Sequence, residues 1–197
     1  MKLLFAGCSI CYGDELDDLT DRYSDVIGRE LNVEVVNIAG KGLSNDAIVR
    51  KTITYFEKGN TADLVIPCLT WRNRIEGYVD GMLLRHQVCR NYSQDFFKYV
   101  YNNENGQYNL DKNQYFLEIF LRGKGVPYRL LATEKRQPTR ASNYGYDQFK
   151  KTDPYVLTFS EDQTLPRGHP NAEGHRMLAM KIIDELNHNQ LLDNLPG

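Results

Sequence analysis

Residues 2–13 read Lys-Leu-Leu-Phe-Ala-Gly-Cys-Ser-Ile-Cys-Tyr-Gly. The first half, Lys2 to Gly7, is a short apolar run ending at glycine, the form of a strand buried on both faces of a parallel sheet. The second half is a turn with glycine on both sides, Gly7 and Gly13, which permits a tight passage from strand to helix and would expose Ser9. The same alternation continues outward. Thr20 to Leu31 carries Tyr23, Val26, Ile27 and Leu31 at helical spacing, and Val33 to Ala39 reads as a second strand. A helix capped by Ser44 or Asn45 runs to about Lys58, with Ile48, Ile53 and Phe56 on its apolar side. Asp63 to Leu69 is a third strand. Helix Gln114 to Arg122 ends at Gly123 and Gly125, and Pro127 to Thr133 is a fourth strand. Asn171 to Asn187 closes the chain as an amphipathic helix carrying Met177, Leu178, Ile182, Ile183 and Leu186. Strands alternating with helices through short links predict an α/β fold, a flavodoxin-like three-layer α/β/α sandwich with a mainly parallel sheet.

Two stretches interrupt this pattern. From about 76 to 113 the chain is polar and tyrosine-rich, and Met82 to Cys89 and Phe96 to Tyr101 look helical, so the stretch reads as a helical insertion in a single domain spanning 1–197. From Glu134 to Gln163 it reads as loop. Nine of the 13 tyrosines lie between Tyr92 and Tyr155, interleaved with lysines and arginines, a composition that suits a solvated face or a wall of a binding site.

With 197 residues, 41% hydrophobic and 25% charged, the chain can bury one substantial core without disulfides or metals. Lys plus Arg number 24 against 26 Asp plus Glu, a net charge of −2, which is not the electrostatic footprint of a nucleic-acid binder. No run approaches the roughly 20 apolar residues of a membrane span, and mean hydropathy is −0.54. The apolar residues before Cys8 are fewer than the about 7–15 of a secretory signal. Cys8, Cys11, Cys68 and Cys89 form no regular disulfide framework, so a reducing compartment, the cytoplasm, is the expectation. The oligomeric state is left open.

In parallel sheets ligands bind beyond the carboxyl ends of the strands, so the residues that follow each strand carry the functional reading. After the first strand comes Ser9. After the second comes Ala39-Gly40-Lys41-Gly42-Leu43-Ser44-Asn45-Asp46, whose glycines let backbone amides approach a ligand. After the third comes Thr70-Trp71-Arg72-Asn73-Arg74, and before the last helix Gly168-His169-Pro170-Asn171. A serine and a histidine at one sheet edge can supply a nucleophile and its general base.

Together these segments resemble the SGNH hydrolases, also called GDSL esterases, in order along nearly the whole chain. Gly7-Cys8-Ser9 with Tyr12-Gly13-Asp14-Glu15-Leu16 is similar to the first family block, and Asn37 to Asn45 to the second, with Gly42 as its glycine. Asn73 matches the third block, and His169-Pro170-Asn171 with Gly174-His175 the fifth. The resemblance implies that Ser9 attacks an acyl carbonyl while His169 takes its proton. It implies an oxyanion hole built from the backbone amides of Ser9 and Gly42 and the side-chain amide of Asn73. No metal or cofactor is implied, and the expected substrate is a small-molecule or glycan-borne acyl ester. Arg72 or Arg74 could bind an anionic substrate group or form a solvated ion pair. The first block and the Asn73-Arg74-x-Glu76 segment look like divergent, often phage-encoded members.

Two positions depart from the family pattern. Where the family has aspartate three residues before the histidine, this chain has Pro166, so Ser9 and His169 act as a dyad, another acid or a carbonyl substitutes, or activity is lost. Asp162 is the nearest upstream carboxylate. Cys8 stands where the family has aspartate. The alternatives to a serine esterase are a catalytically silent binding protein with the same pocket and an acyltransferase using the same site. Cys8-x-x-Cys11 after a strand also admits a thioredoxin-like dithiol.

Overall fold

The computed structural model describes residues 1–79, 82–86, 95, 99, 101–135 and 152–193. Five strands, β1 (Lys2–Ala6), β2 (Glu34–Asn37), β3 (Leu64–Leu69), β6 (Leu131–Ala132) and β7 (Tyr155–Val156), form one sheet in the order β2-β1-β3-β6-β7. Every pairing in it is parallel. The helices among the described residues include α1 (Ser9–Tyr12), α2 (Tyr23–Leu31), α3 (Asn45–Glu57), α4 (Asn103–Lys124) and α5 (Ala172–His188).

The strand period of two sorts the core into two layers. Leu3, Phe5, Leu64 and Ile66 pack against Val26 and Ile27 of α2 and Leu178 and Ile182 of α5. Leu4, Val65 and Leu69 face the other way, onto Val49 and Phe56 of α3 and Leu110, Leu117 and Leu121 of α4. The sheet is thus sandwiched between α2 with α5 and α3 with α4, an α/β fold in three layers. No helix among the described residues is long and apolar enough to cross a membrane.

The structure revises four sequence-based expectations. Met82–His86, whose apolar spacing suggests helix, is a strand (β5) paired antiparallel with Ile75–Val79 (β4), the register running from Ile75 opposite His86 to Val79 opposite Met82. Hairpin pairing overrides local helical spacing there. Helix α4 begins at Asn103 rather than Gln114, with Asn102 accepting from the Asn105 amide as N-cap. Its first turns hide because their buried face is largely polar: Gln107, Asp111 and Asn113 are all buried. The expected fourth strand, Pro127 to Thr133, contracts to β6 with one further bridge at Tyr128. The expected loop after Glu134 contains β7, a fifth strand too short to read locally. Phe96 to Tyr101 lies mostly outside the described residues.

Because the chain steps from β1 outward to β2 and then back across β1 to β3, a crevice opens at the carboxyl ends of β1 and β3. The turns that carry Ser9 and Asn73 border it.

Candidate active site

The Ser9 turn is fixed by close packing. A side chain at Gly7 would put a Cβ 2.6 Å from Cys11 Cβ and 3.2 Å from Cys68 Cβ, so only glycine lets β1 run this tightly into α1. Asn37, at the end of β2, donates from Nδ2 to the Cys11 carbonyl (2.9 Å) and to Ser24 Oγ (2.9 Å) while its Oδ1 accepts from the Ala39 amide. It thereby ties β2, α1 and α2 together. Ser9 is 3% exposed, and its Oγ has no hydrogen-bond partner. Cys8 and Cys11 are buried free thiols, and burial pushes the Cys11 thiol up to about 12. A redox-active C-x-x-C thiol needs the opposite shift, so the dithiol reading finds no support.

His169 sits in a pocket of carboxylates. Its Nδ1 lies 2.6 Å from Glu15 Oε2, and its Nε2 4.0 Å from Asp14 Oδ2. All three side chains are largely buried, at 14% exposure for His169, 11% for Glu15 and 9% for Asp14. Arg167 holds Glu15 from the far side, its backbone N–H and its Nε each 3.2 Å from Oε1. Burial raises the Glu15 carboxyl, but the hydrogen bonds from His169 and Arg167 outweigh it and leave the pKa below the ordinary value. Asp14 likewise ends low, burial being outweighed by the Lys41 ammonium 2.6 Å away with smaller help from His169 and Arg167. An ionised Glu15 can only accept, so it is met by a proton on His169 Nδ1, which makes Nε2 the acceptor nitrogen of the neutral tautomer.

Glu15 adopts φ +76°, a left-handed conformation unusual for a residue with a Cβ. Such a conformation costs roughly 1–2 kcal/mol and persists where its surroundings impose it. Here Asp14 N–H bonds to the Ser9 carbonyl (2.9 Å), and the Glu15 N–H meets Asp14 Oδ1 (3.2 Å). The turn that presents Ser9 therefore also aims Glu15 at His169.

Most of the remaining expected residues lie on the loops that follow β2 and β3. The Gly40 N–H bonds to the Gly7 carbonyl (3.1 Å), which draws the loop after β2 beside the Ser9 turn, and Gly42 turns that loop at φ +66°. Asn45 locks the segment after β3 by a reciprocal pair, Nδ2 to the Thr70 carbonyl (3.0 Å) and the Thr70 N–H to Oδ1 (2.8 Å), wholly buried. Asn73 follows in the next turn, half-buried. Arg72 is engaged: its N–H bonds to Glu134 (2.6 Å), and its Nη1 reaches Gln107 (3.4 Å), which in turn holds Asp111. Arg74 instead stacks on the Trp71 ring at 4.4 Å. Asp162 is exposed and takes part through its carbonyl, which accepts from Asn171 (3.0 Å). Glu15, not Asp162, is the carboxylate that meets the His169 ring. Among the described residues, no group of three or more His, Cys, Asp and Glu is placed to hold a metal ion.

No family model matches the sequence, and no curated protein matches it. Solved structures do. The psychrotrophic esterase EstA from a Pseudoalteromonas species is similar at a TM-score of 0.61 and 12% identity, over 98% of this chain and 99% of that one. An acetyl xylan esterase from the rumen bacterium Butyrivibrio proteoclasticus is similar at 0.61 and 13%, over 96% of this chain and 64% of that one. A member of the lipolytic G-D-S-L family from Veillonella parvula is similar at 0.52 and 13%, over 93% of this chain and 97% of that one. The chain has the SGNH hydrolase fold.

Against the SGNH pattern, the departure at Pro166 has a local cause. Leu165 to Gly168 is a tight turn closed by the Gly168 N–H to the Leu165 carbonyl (2.8 Å), and Pro166 sits exposed within it. Proline presets the φ such a turn needs but offers no carboxylate. The next residue, Arg167, reaches back to Glu15 instead. His175, also in the SGNH-like segment, is not a site residue but a core one. It is fully buried, stacks on Tyr23 (5.8 Å), and accepts the Tyr23 N–H at Nδ1 (3.2 Å). Burial, with smaller repulsion from His169 and Arg22, lowers its pKa to about 4.

Proposed function

We propose that the protein is a serine-dependent acyl hydrolase in which Ser9 is the nucleophile, His169 the general base, and Glu15 the carboxylate that orients the histidine and stabilises the cation it becomes. The observation that carries this reading is the 2.6 Å contact between Glu15 Oε2 and His169 Nδ1, which supplies the acid that the sequence lacks at position 166. Ser9 Oγ attacks the acyl carbonyl and passes its proton to His169 Nε2. The developing oxyanion is met by the Ser9 and Gly42 amides and the Asn73 side chain. The leaving alcohol then takes the proton from His169, and water repeats the sequence in reverse to release the acid. Each oxyanion donor is worth roughly 10²–10³ in turnover, because it acts on charge present only in the transition state.

Ser9 Oγ and His169 do not form a hydrogen bond in this structure, so attack requires the two to close on each other when substrate binds. That same observation favours the second reading, a silent binding protein. Hydrolysis of p-nitrophenyl acetate and butyrate by the wild type, Ser9→Ala and His169→Ala separates the two. The proposal expects turnover in the wild type and loss of at least about 10³-fold in both variants. Absence of turnover in the folded wild type, or its survival in Ser9→Ala, overturns it.

A further inference from the structure

The edge that carries Ser9 also carries buried polar atoms that the acyl chemistry leaves unused. Thr70 Oγ1, Thr133 Oγ1 and Arg74 Nη1 are buried and have no hydrogen-bond partner, as is true of Ser9 Oγ. Native folds leave few such groups unsatisfied, and each calls for an explanation. These four follow the carboxyl ends of β1, β3 and β6, neighbouring strands of one sheet. The register that sets Leu69 against Ala132 puts Thr70 beside Thr133 one step further on, with the Thr133 N–H on the Leu69 carbonyl (3.0 Å).

Arg74 is the charged member of this set. Its backbone N–H bonds to the Trp71 carbonyl (3.1 Å), closing the turn, and its guanidinium carbon lies 4.4 Å from the centroid of the Trp71 ring. Stacking holds the fork in place without consuming its N–H donors. No carboxylate among the described residues pairs with it. Its neighbour Arg72 is committed to Gln107 and, through its backbone, to Glu134. A guanidinium held over a ring with its Nη1 buried and unpartnered suits the oxygens of a carboxylate or phosphate.

We infer that Arg74 binds an oxyanion carried by the substrate, so that the enzyme prefers esters with a carboxylate or phosphate in the acyl or alcohol portion. This rests on the acyl hydrolase reading for its use but not for its binding step, and the two are tested apart. Two matched pairs probe the two portions: p-nitrophenyl hemisuccinate against p-nitrophenyl butyrate, and 4-acetoxybenzoate against p-tolyl acetate. In at least one pair the anionic ester should have the higher kcat/KM by about tenfold or more, the scale of one charge-assisted pair. Arg74→Gln should bring that ratio close to one, and Arg74→Lys should keep part of it. Anion binding is measured separately, by calorimetry with benzoate and with phenyl phosphate on the Ser9→Ala protein and on Ser9→Ala with Arg74→Gln. The single variant should bind one of the two anions at least about tenfold more tightly, and which one tells carboxylate from phosphate. Loss of esterase activity with intact, Arg74-dependent anion binding would sink the hydrolase reading and spare this one. Equal anion affinity in the two proteins, or a ratio that Arg74→Gln leaves unchanged, overturns the inference.

Discussion

Replacing Glu15 by glutamine exchanges one carboxylate oxygen for an NH2 group and tests what the carboxylate does for His169. Glu15 now spans two partners, with Oε1 on the Arg167 N–H groups and Oε2 on His169 Nδ1. Arg167 offers only donors, so the glutamine carbonyl must face Arg167 and its NH2 must face the histidine. An amide N–H against Nδ1 forces the imidazole proton onto Nε2, the nitrogen that has to receive the Ser9 proton. The base is thereby converted to a donor. In serine proteases the corresponding acid-to-amide change lowers kcat by about 10⁴. Ser9 also lacks a settled bond to His169 here, so part of the penalty is already present, and a fall of about 10²–10⁴ in kcat with little change in KM is expected. Glu15→Asp keeps the charge but retracts the oxygen by about one C–C bond, roughly 1.5 Å, and should lose less. Initial rates on p-nitrophenyl acetate across pH 5–9, with thermal melts to confirm folding, read the effect. Retention of kcat within threefold by folded Glu15→Gln would refute the assignment of Glu15.

Three further outcomes follow from the packing. His175 has its folded pKa lowered to about 4 against 6.5 unfolded, so the unfolded chain takes up the proton first as pH falls. Its contribution, about 3 kcal/mol from the two values, is complete above about pH 6.5 and gone below about pH 4; urea midpoints should fall across that window in the wild type and stay flatter in His175→Gln. Gly7→Ala drives a Cβ to 2.6 Å from Cys11 Cβ, a near-backbone atom that cannot swing aside; a loss of about 1–3 kcal/mol is expected on denaturation, and unchanged stability would contradict the close approach. Asn45→Ala strips the Thr70 N–H and carbonyl of their buried partners and should cost at least about 2 kcal/mol, with activity falling as the Asn73 turn loosens.

Elements with a local signal are legible in the sequence. β1 and β3 announce themselves as apolar runs because both of their faces are buried, and α3 and α5 because Ser44 and Asn171 cap them as side-chain acceptors. The parts that escaped are set by distant partners. β7 is two residues long and exists only by pairing with β6. Met82–His86 is a strand only because Ile75–Val79 lies against it. The first turns of α4 bury amides and carboxylates rather than a hydrophobic stripe.

The site divides in the same way. Of the proposed site, Ser9, Gly42, Asn73 and His169 each follow or precede an element that is legible in the sequence. Glu15 is not legible in this way, because it meets His169 across 154 residues of chain. The one local hint is the acidic pair directly after Gly13, in the turn that carries Ser9. Asp162 was nearer in sequence, but its side chain is exposed and its carbonyl is used to secure Asn171.

The central claim is that Ser9 is an activated nucleophile, and a fluorophosphonate read by intact-protein and peptide mass spectrometry tests it most directly. The account predicts a single adduct on Ser9, absent in Ser9→Ala and formed far more slowly in His169→Ala and Glu15→Gln. A folded wild-type protein that stays unlabelled, or an adduct on any other residue, would contradict it.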